Sequence, residues 1–214
     1  MSQNLPLSLT VVLLVSYLIG SIPWGYLIGR ANGIDIRKHG SHNIGATNVT
    51  RVLGAGPGRL CFVLDFLKGW FPVVFFGSAR AASHLALTPG WCALLAAAAA
   101  VLGHVFPVWL KFKGGKGVAT SIGVCLAMAF WPMVIGAVAW FIVYKKTLVV
   151  AIASLTLAVV TPLSALVLRL TGLSYIHWHA IILMFLLGAL IILRHKDNIL
   201  RLRKGEENSF QKQA

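Results

Sequence analysis

The chain has 214 residues, of which 58% are hydrophobic and 11% charged, where a soluble domain carries roughly 25% charged residues. That excludes a water-soluble fold, because no core of this size hides so much apolar surface; lipid must be the solvent for most of it. The formal charge of +14, from 19 basic and 5 acidic residues, lies between apolar runs and forms no stripe interleaved with aromatics. This argues against nucleic acid and for anionic headgroups and anionic substrates as partners. Cys61, Cys92 and Cys125 lie far apart in apolar runs and fit neither a disulfide framework nor a zinc spacing. The expected fold class is an all-α polytopic membrane protein, one domain over residues 1–214 with 195–214 as a cytoplasmic C-terminal tail.

A crossing helix needs about 20 apolar residues. In chain order, the candidates are 5–29, 57–77, 89–110, the stretch 118–144, 148–170 and 179–193. The first run has no Lys or Arg before it and Arg30 just after it, the reverse of a cleavable signal peptide. It is expected to stay attached, with its N-terminus outside. The stretch 118–144 carries Pro132 near its middle and reads either as one kinked helix or as two short ones. Two helices, for seven spans in all, put three basic groups on the cytoplasmic side: Arg30, Arg37, Lys38, Arg51 and Arg59, then Lys111, Lys113 and Lys116, then Lys145 and Lys146. The tail, with Arg194, Lys196, Arg201, Arg203, Lys204 and Lys212, falls on the same side. Only Arg80 and Arg169 lie outside, with Lys68 inside a span. One helix there would send the six basic tail residues outside, so the positive-inside rule favours seven spans, two of them short.

Three polar segments carry the chemistry. GSHNIGATN, residues 40–48, is dense in residues that let backbone N–H groups approach an anion, with hydroxyls and amides as added donors. Thr47 or Asn48 is a candidate cap for the following helix, and Arg51 lies just beyond. An ordinary turn-rich loop is the alternative. The second segment, GHVFPVWLKFKGGKGVATS, residues 103–121, sets Lys116 in a glycine-rich turn just before an apolar helix, a plausible phosphate site. It is no Walker A loop, which would place Gly at 110 and Ser or Thr at 117; Leu110 and Gly117 stand there. A basic turn obeying the positive-inside rule is the alternative. The third, RHKDNILRLRKGEE, residues 194–207, sets His195 and Asn198 three apart on one helix face, or is simply a basic juxtamembrane tail. Asp65 and Lys68, also three apart, lie inside a span, where charges face the bundle interior. They form either a structural ion pair or a support for a polar site. His39, His42 and His104 have no tight ligand spacing, so no metal is expected. His177 and His179 flank Trp178 as interfacial residues.

Together these segments resemble the bacterial acyl-phosphate:glycerol-3-phosphate acyltransferases. The resemblance runs through GSIPWGYLIGR (20–30), GSHNIGATNVTR (40–51), DFLKG (65–69), GHVFPVWLKFKGGKGVAT (103–120) and RHKDNILRLRKGEE (194–207), nearly the whole chain. It implies a seven-spanning membrane acyltransferase of the bacterial inner membrane, acting at its cytoplasmic face without a cofactor. The implied reaction moves a fatty acyl group from acyl phosphate to the 1-hydroxyl of sn-glycerol 3-phosphate. It gives lysophosphatidic acid and phosphate, an opening step of phospholipid biosynthesis, and it links the protein functionally to an acyl-phosphate-forming enzyme. One departure stands out: the family usually has Gly where this chain has His42. The residues add a negative. The His and Asp five apart (HxxxxD) of acyltransferases that use acyl-CoA or acyl carrier protein are absent, because Arg30, Leu60 and Ile192 precede the three Asp residues at that spacing.

The expected site draws phosphate ligands from Ser41, Gly45, Thr47, Asn48, Arg51, Lys113, Gly115, Lys116, His195 and Asn198. Asp65, Lys68 and His104 support it, and His195, Ser41 and Asn198 are the catalytic candidates. A substrate phosphate oxygen is the expected proton acceptor, with His195 the competing base. The rival reading is a small membrane transporter of phosphate or an organic phosphate, which predicts internal repeats and polar residues near the midplane. No repeat is visible, and the polar segments gather at one face.

Overall fold

The computed structural model describes residues 5–85 and 87–210. Lys212 and the end of the 195–214 tail lie outside the described residues. Those residues form helices and connecting turns with no strand, and the chain divides into two compact units, Met1–Met128 and Ala129–Ala214.

The first unit opens with α1 (Leu5–Ser21) and the short α2 (Trp24–Ala31). The sequence predicts one helix through residue 29; the structure interrupts it at Ile22–Pro23. Proline lacks the N–H that continues a helix and pushes the residue before it away from helical geometry. After a 3₁₀ turn, Ile36–Lys38, come α3 (Ala46–Leu53) and α4 (Ala55–Gly77), then a four-residue α5 (Ala79–Ala82). The unit closes with α6 (Pro89–Val105), a second 3₁₀ turn, Val108–Leu110, and α7 (Val118–Met128).

Small residues fix its packing. A Cβ on Gly20 would strike the Ala100 backbone of α6, and one on Gly69 would strike the Thr120 carbonyl of α7. In a bilayer, helices gain little by hiding apolar groups from one another, so close backbone approach at such residues drives association. The outward faces show the opposite composition, with Leu14, Phe62, Phe71 and Phe75 exposed. This is the pattern of helices solvated by lipid tails. All three cysteines are free and buried, in keeping with a packing role.

In the second unit, α8 (Phe130–Thr147) follows a break at Ala129, which is extended (φ −155°, ψ 93°). The stretch 118–144 is therefore two helices. The break falls three residues before Pro132, which sits in the first turn of α8, where a missing N–H costs nothing. Next come α9 (Val150–Leu170), α10 (Trp178–Arg194) and α11 (Lys196–Lys204). A Cβ on Gly136 would meet Thr161, and one on Gly188 would meet the Ala158 carbonyl, so α9 is held closely by both α8 and α10. At the far end of α9, the Arg169 guanidinium lies 4.7 Å from the Tyr175 ring centroid and the His177 and His179 rings stack.

Four stretches are long and apolar enough to cross a membrane: Leu5–Ala31, Ala55–Gly77, Pro89–Leu110 and Val150–Leu170. A fifth appears if α10 and α11, bent by 55°, count as one span. With 11 residues, α7 reaches roughly 16 Å, about half of the ~30 Å hydrocarbon core.

Candidate functional site

The first polar segment is shaped by one side chain. Asn48, 1% exposed, accepts from the Ser41 N–H through Oδ1 at 2.8 Å. Its Nδ2 donates to the carbonyls of Ile36, His39 and Asn43 at 3.2, 3.0 and 2.8 Å. A neutral amide thus meets four backbone groups, of which the Ser41 N–H and the Asn43 carbonyl have no backbone partner among the described residues while the Ile36 and His39 carbonyls also accept from His39 and His42 N–H. From its residue type, Asn48 is expected to be a phosphate ligand or a helix cap. In the structure its amide is committed to the loop, and the N-cap of α3 is Gly45, with no side-chain bond. Gly40 has φ +59°, and a Cβ there would collide with Asn48 Oδ1. Only glycine accepts both the left-handed backbone and the crowding.

His42 also has φ +59°, unusual for a residue with a side chain. Its Nδ1 lies 3.0 Å from the Arg37 carbonyl, which ties the ring back onto the loop. Arg37 in turn forks onto Asp35 at 2.9 and 2.7 Å and lies over the Tyr26 ring. This pairing holds the Asp35 carboxyl well below its usual range, the Arg37 side-chain hydrogen bonds being the main cause. Ser41, Gly45, Thr47 and Arg51 remain half-buried around the loop and the first turns of α3.

The second segment folds back onto the end of α6. Lys111 and Phe112 are both left-handed, which reverses the chain after the 3₁₀ turn. Gly114 N–H then donates to the Val105 carbonyl and Gly115 N–H to the His104 carbonyl, at 3.2 and 3.1 Å. Gly115 and Gly117 are buried, Lys116 between them is half-buried, and Lys113 is exposed. Gly117 has φ +85°, and its carbonyl accepts from Ser121 N–H in the first turn of α7.

The first two segments meet. Ile44 from the first shares one buried cluster with Leu110 from the second, together with the flanking Ile36 and Val49, Ile28 of α2 and Cys61 of α4. Deeper in α4, Lys68 Nζ pairs with Asp65 Oδ1 at 2.8 Å, both side chains being 3% exposed. The structural ion pair is therefore present, and it extends further than the i,i+3 spacing implies. Lys68 also donates to the Ile22 carbonyl at 2.7 Å, at the α1–α2 break, and His104 Nδ1 faces Asp65 Oδ1 at 3.6 Å.

The third segment belongs to the second unit. His195 joins α10 to α11 and is 3% exposed. Its Nδ1 lies 2.7 Å from the Ile191 carbonyl. A carbonyl only accepts, so Nδ1 is the protonated nitrogen of this contact and Nε2 is the ring's other edge. Asn198, 6% exposed, donates to Glu207 Oε1 at 2.7 Å, and Glu207 Oε2 accepts from Arg201 Nε at 2.9 Å. Gly205, with φ +71°, turns the chain so that Glu207 can return to α11. Phe210 N–H then donates to the Leu148 carbonyl at 2.9 Å. Glu207 is the residue that sequence reasoning misses. Its signal was scarcity, because each of only five acidic side chains in this chain deserves a search for its cation.

The glycerol-3-phosphate acyltransferase family profile matches residues 10–205. The glycerol-3-phosphate acyltransferase of Synechococcus elongatus is 44% identical over 94% of this chain and 94% of its own. That of Geotalea daltonii is 42% identical over 94% and 97%. Among solved structures, the glycerol 3-phosphate form of PlsY, an integral membrane glycerol 3-phosphate acyltransferase, superposes with a TM-score of 0.84 at 37% identity, covering 95% of this chain and 96% of that one. The lysophosphatidic acid form of PlsY does so with a TM-score of 0.81. This chain, with its apolar helices and glycine-rich polar loops, belongs to the glycerol-3-phosphate acyltransferase family of integral membrane proteins.

Proposed function

We propose that the protein transfers a fatty acyl group from acyl phosphate to the 1-hydroxyl of sn-glycerol 3-phosphate, releasing lysophosphatidic acid and inorganic phosphate for phospholipid synthesis. The observation that carries this is the convergence of two glycine-rich, basic loops on one buried cluster. Two phosphate-bearing substrates call for two such loops. The hydroxyl oxygen attacks the acyl carbon, the bond from that carbon to the bridging phosphate oxygen breaks, and the hydroxyl proton leaves on the released phosphate. An acyl phosphate is already activated, so binding two anions, orienting the hydroxyl and stabilising the leaving phosphate supply the rate.

In this reading, Ser41, Gly45 and Thr47 bind the donor phosphate within the loop that Asn48 holds. Arg51, Lys113 and Lys116 neutralise phosphate charge, Gly115 lets the backbone of its turn approach the anion, and His195 and Asn198 are the phosphate-binding candidates of the third segment. The proton acceptor is a substrate phosphate oxygen, and the oriented Nε2 of His195 is the competing base. Seven spans with an outside N-terminus would put all three segments at the cytoplasmic face of the bacterial inner membrane, with the basic turns retained inside.

The test is direct. Protein purified in detergent is supplied with glycerol 3-phosphate and either palmitoyl phosphate or palmitoyl-CoA, and lysophosphatidic acid is followed. Product from the acyl phosphate alone is expected. No product, or equal product from the thioester, would overturn the assignment.

A further inference from the structure

The reaction assigned above makes no chemical use of Asp65, Lys68 or His104, yet these are the buried ionisable side chains of helices α4 and α6 other than cysteine, at 2, 5 and 3% exposed. Charges at this depth face the bundle interior or a cavity and are seldom idle. Their contacts run in a line. The Ile22 carbonyl, at the α1–α2 break, takes Lys68 Nζ at 2.7 Å. Lys68 holds Asp65 Oδ1 at 2.8 Å, and the same oxygen faces His104 Nδ1 at 3.6 Å. On its other edge the His104 ring meets the glycine-rich turn, because a Cβ added to Gly115 would run into His104 Nε2. The main chain closes the arrangement, with the His104 carbonyl accepting from Gly115 N–H at 3.1 Å. Gly114 is equally confined, since a Cβ there would strike the His104 carbonyl.

We propose that Asp65, Lys68 and His104 are positioning residues: the buried ion pair fixes the His104 ring, and the ring is the floor on which the Gly114–Gly117 turn takes its phosphate-binding shape. The inference rests on the assignment of that turn to phosphate. A catalytic loop needs support that locks its own geometry, because a misplacement of about 1 Å is costly. A glycine-rich backbone cannot supply this itself. Here the rigidity comes from a buried ring that faces a carboxylate at 3.6 Å, and that carboxylate is paired with an ammonium that bonds the Ile22 carbonyl just past α1. None of Asp65, Lys68 and His104 is predicted to touch a substrate.

The test uses His104→Ala, Gly115→Ala and the two combined, each purified in detergent, with kcat and KM measured for both phosphate substrates. Gly115→Ala is expected to raise the KM of at least one substrate by about tenfold, with kcat changed less. Adding His104→Ala should then recover about threefold of that loss, since the new Cβ no longer meets a ring. Multiplying effects, or an unchanged KM in His104→Ala, would overturn the proposal. If the His104 variants do not fold, Asp65→Asn with Lys68→Met removes both charges together. A raised KM then supports the proposal and an unchanged KM overturns it. A wild-type protein that makes no product would refute the assigned reaction and not this role.

Discussion

Two loops in this molecule are each shaped by one buried side chain, and the chemistry of the two differs. Around residues 36–48, a neutral amide does the shaping: Asn48 meets four backbone groups and carries no charge. Around residues 195–207, an anion does it: Glu207 meets the amide of Asn198 and the guanidinium of Arg201. An amide buried with its hydrogen bonds made holds a loop without drawing a counter-charge toward it, which suits the phosphate-binding role proposed for this loop. A carboxylate at the tail instead holds Arg201 and Asn198 together. It brings a charge that must remain paired, although Arg201 keeps a third of its side chain exposed. The comparison teaches that the first loop is held by one side chain bonded to main-chain groups and the second by side chains bonded to one another.

That contrast can be broken in order of effect. Asn48→Ala should be the most damaging, because it takes the partner from the Ser41 N–H and the Asn43 carbonyl and one of two partners from the Ile36 and His39 carbonyls, and each buried orphan costs roughly 1–3 kcal/mol. Thermal unfolding in detergent should move down by several degrees and turnover should fall at least about 100-fold. Asn48→Asp, which keeps the acceptor and loses the donors, should be nearly as poor. A well-behaved Asn48→Ala with normal turnover would remove the amide from its organising role.

Glu207→Gln comes next. The substituted amide still accepts from Asn198, but its NH₂ then faces Arg201 Nε, donor against donor. A loss of about 1–2 kcal/mol is expected, visible in unfolding and in a moderate fall in turnover. An equal effect of Glu207→Gln and Asn48→Ala would erase the proposed difference between the loops.

His195→Gln separates two roles. If a substrate phosphate takes the proton, turnover at saturation should stay within about tenfold while KM rises. A collapse of kcat with KM unchanged would make His195 the base.

The smallest effect belongs to Asp35. Its folded pKa is depressed by Arg37, so its contribution is fully present above the ordinary carboxylate range and is lost only as pH falls through the folded value. Loop stability should therefore be flat from pH 8 to about pH 5, and Asp35→Asn should change little because the pair is exposed. A marked Asp35→Asn phenotype at neutral pH would show the pair to be more than a surface contact.

Much of this was legible before any coordinates. Hydropathy located the apolar helices, and glycine density beside Lys and Arg located the loops. Pro132 signalled a break near the middle of 118–144, although proline prefers the first turn of a helix, and so the break fell at Ala129. The Pro23 interruption was hidden because the residues around it are apolar on both sides. What could not be read was the direction in which side chains point. Asn48 looks like a ligand in a one-dimensional pattern because amides serve ligands and backbones equally well, and only the fold shows which carbonyls surround it. Lys68 and the Ile22 carbonyl are 46 residues apart, beyond any local period, and Glu207 finds Asn198 only because Gly205 turns the chain.

The central claim is that the acyl group is carried on phosphate and leaves it at the acyl carbon. Palmitoyl phosphate labelled with oxygen-18 in the bridge between carbonyl carbon and phosphorus tests this in one turnover mixture with glycerol 3-phosphate. The account predicts that all of the label appears in released inorganic phosphate and none in lysophosphatidic acid. Label retained in a fatty acid, with phosphate passed to glycerol 3-phosphate, would contradict it.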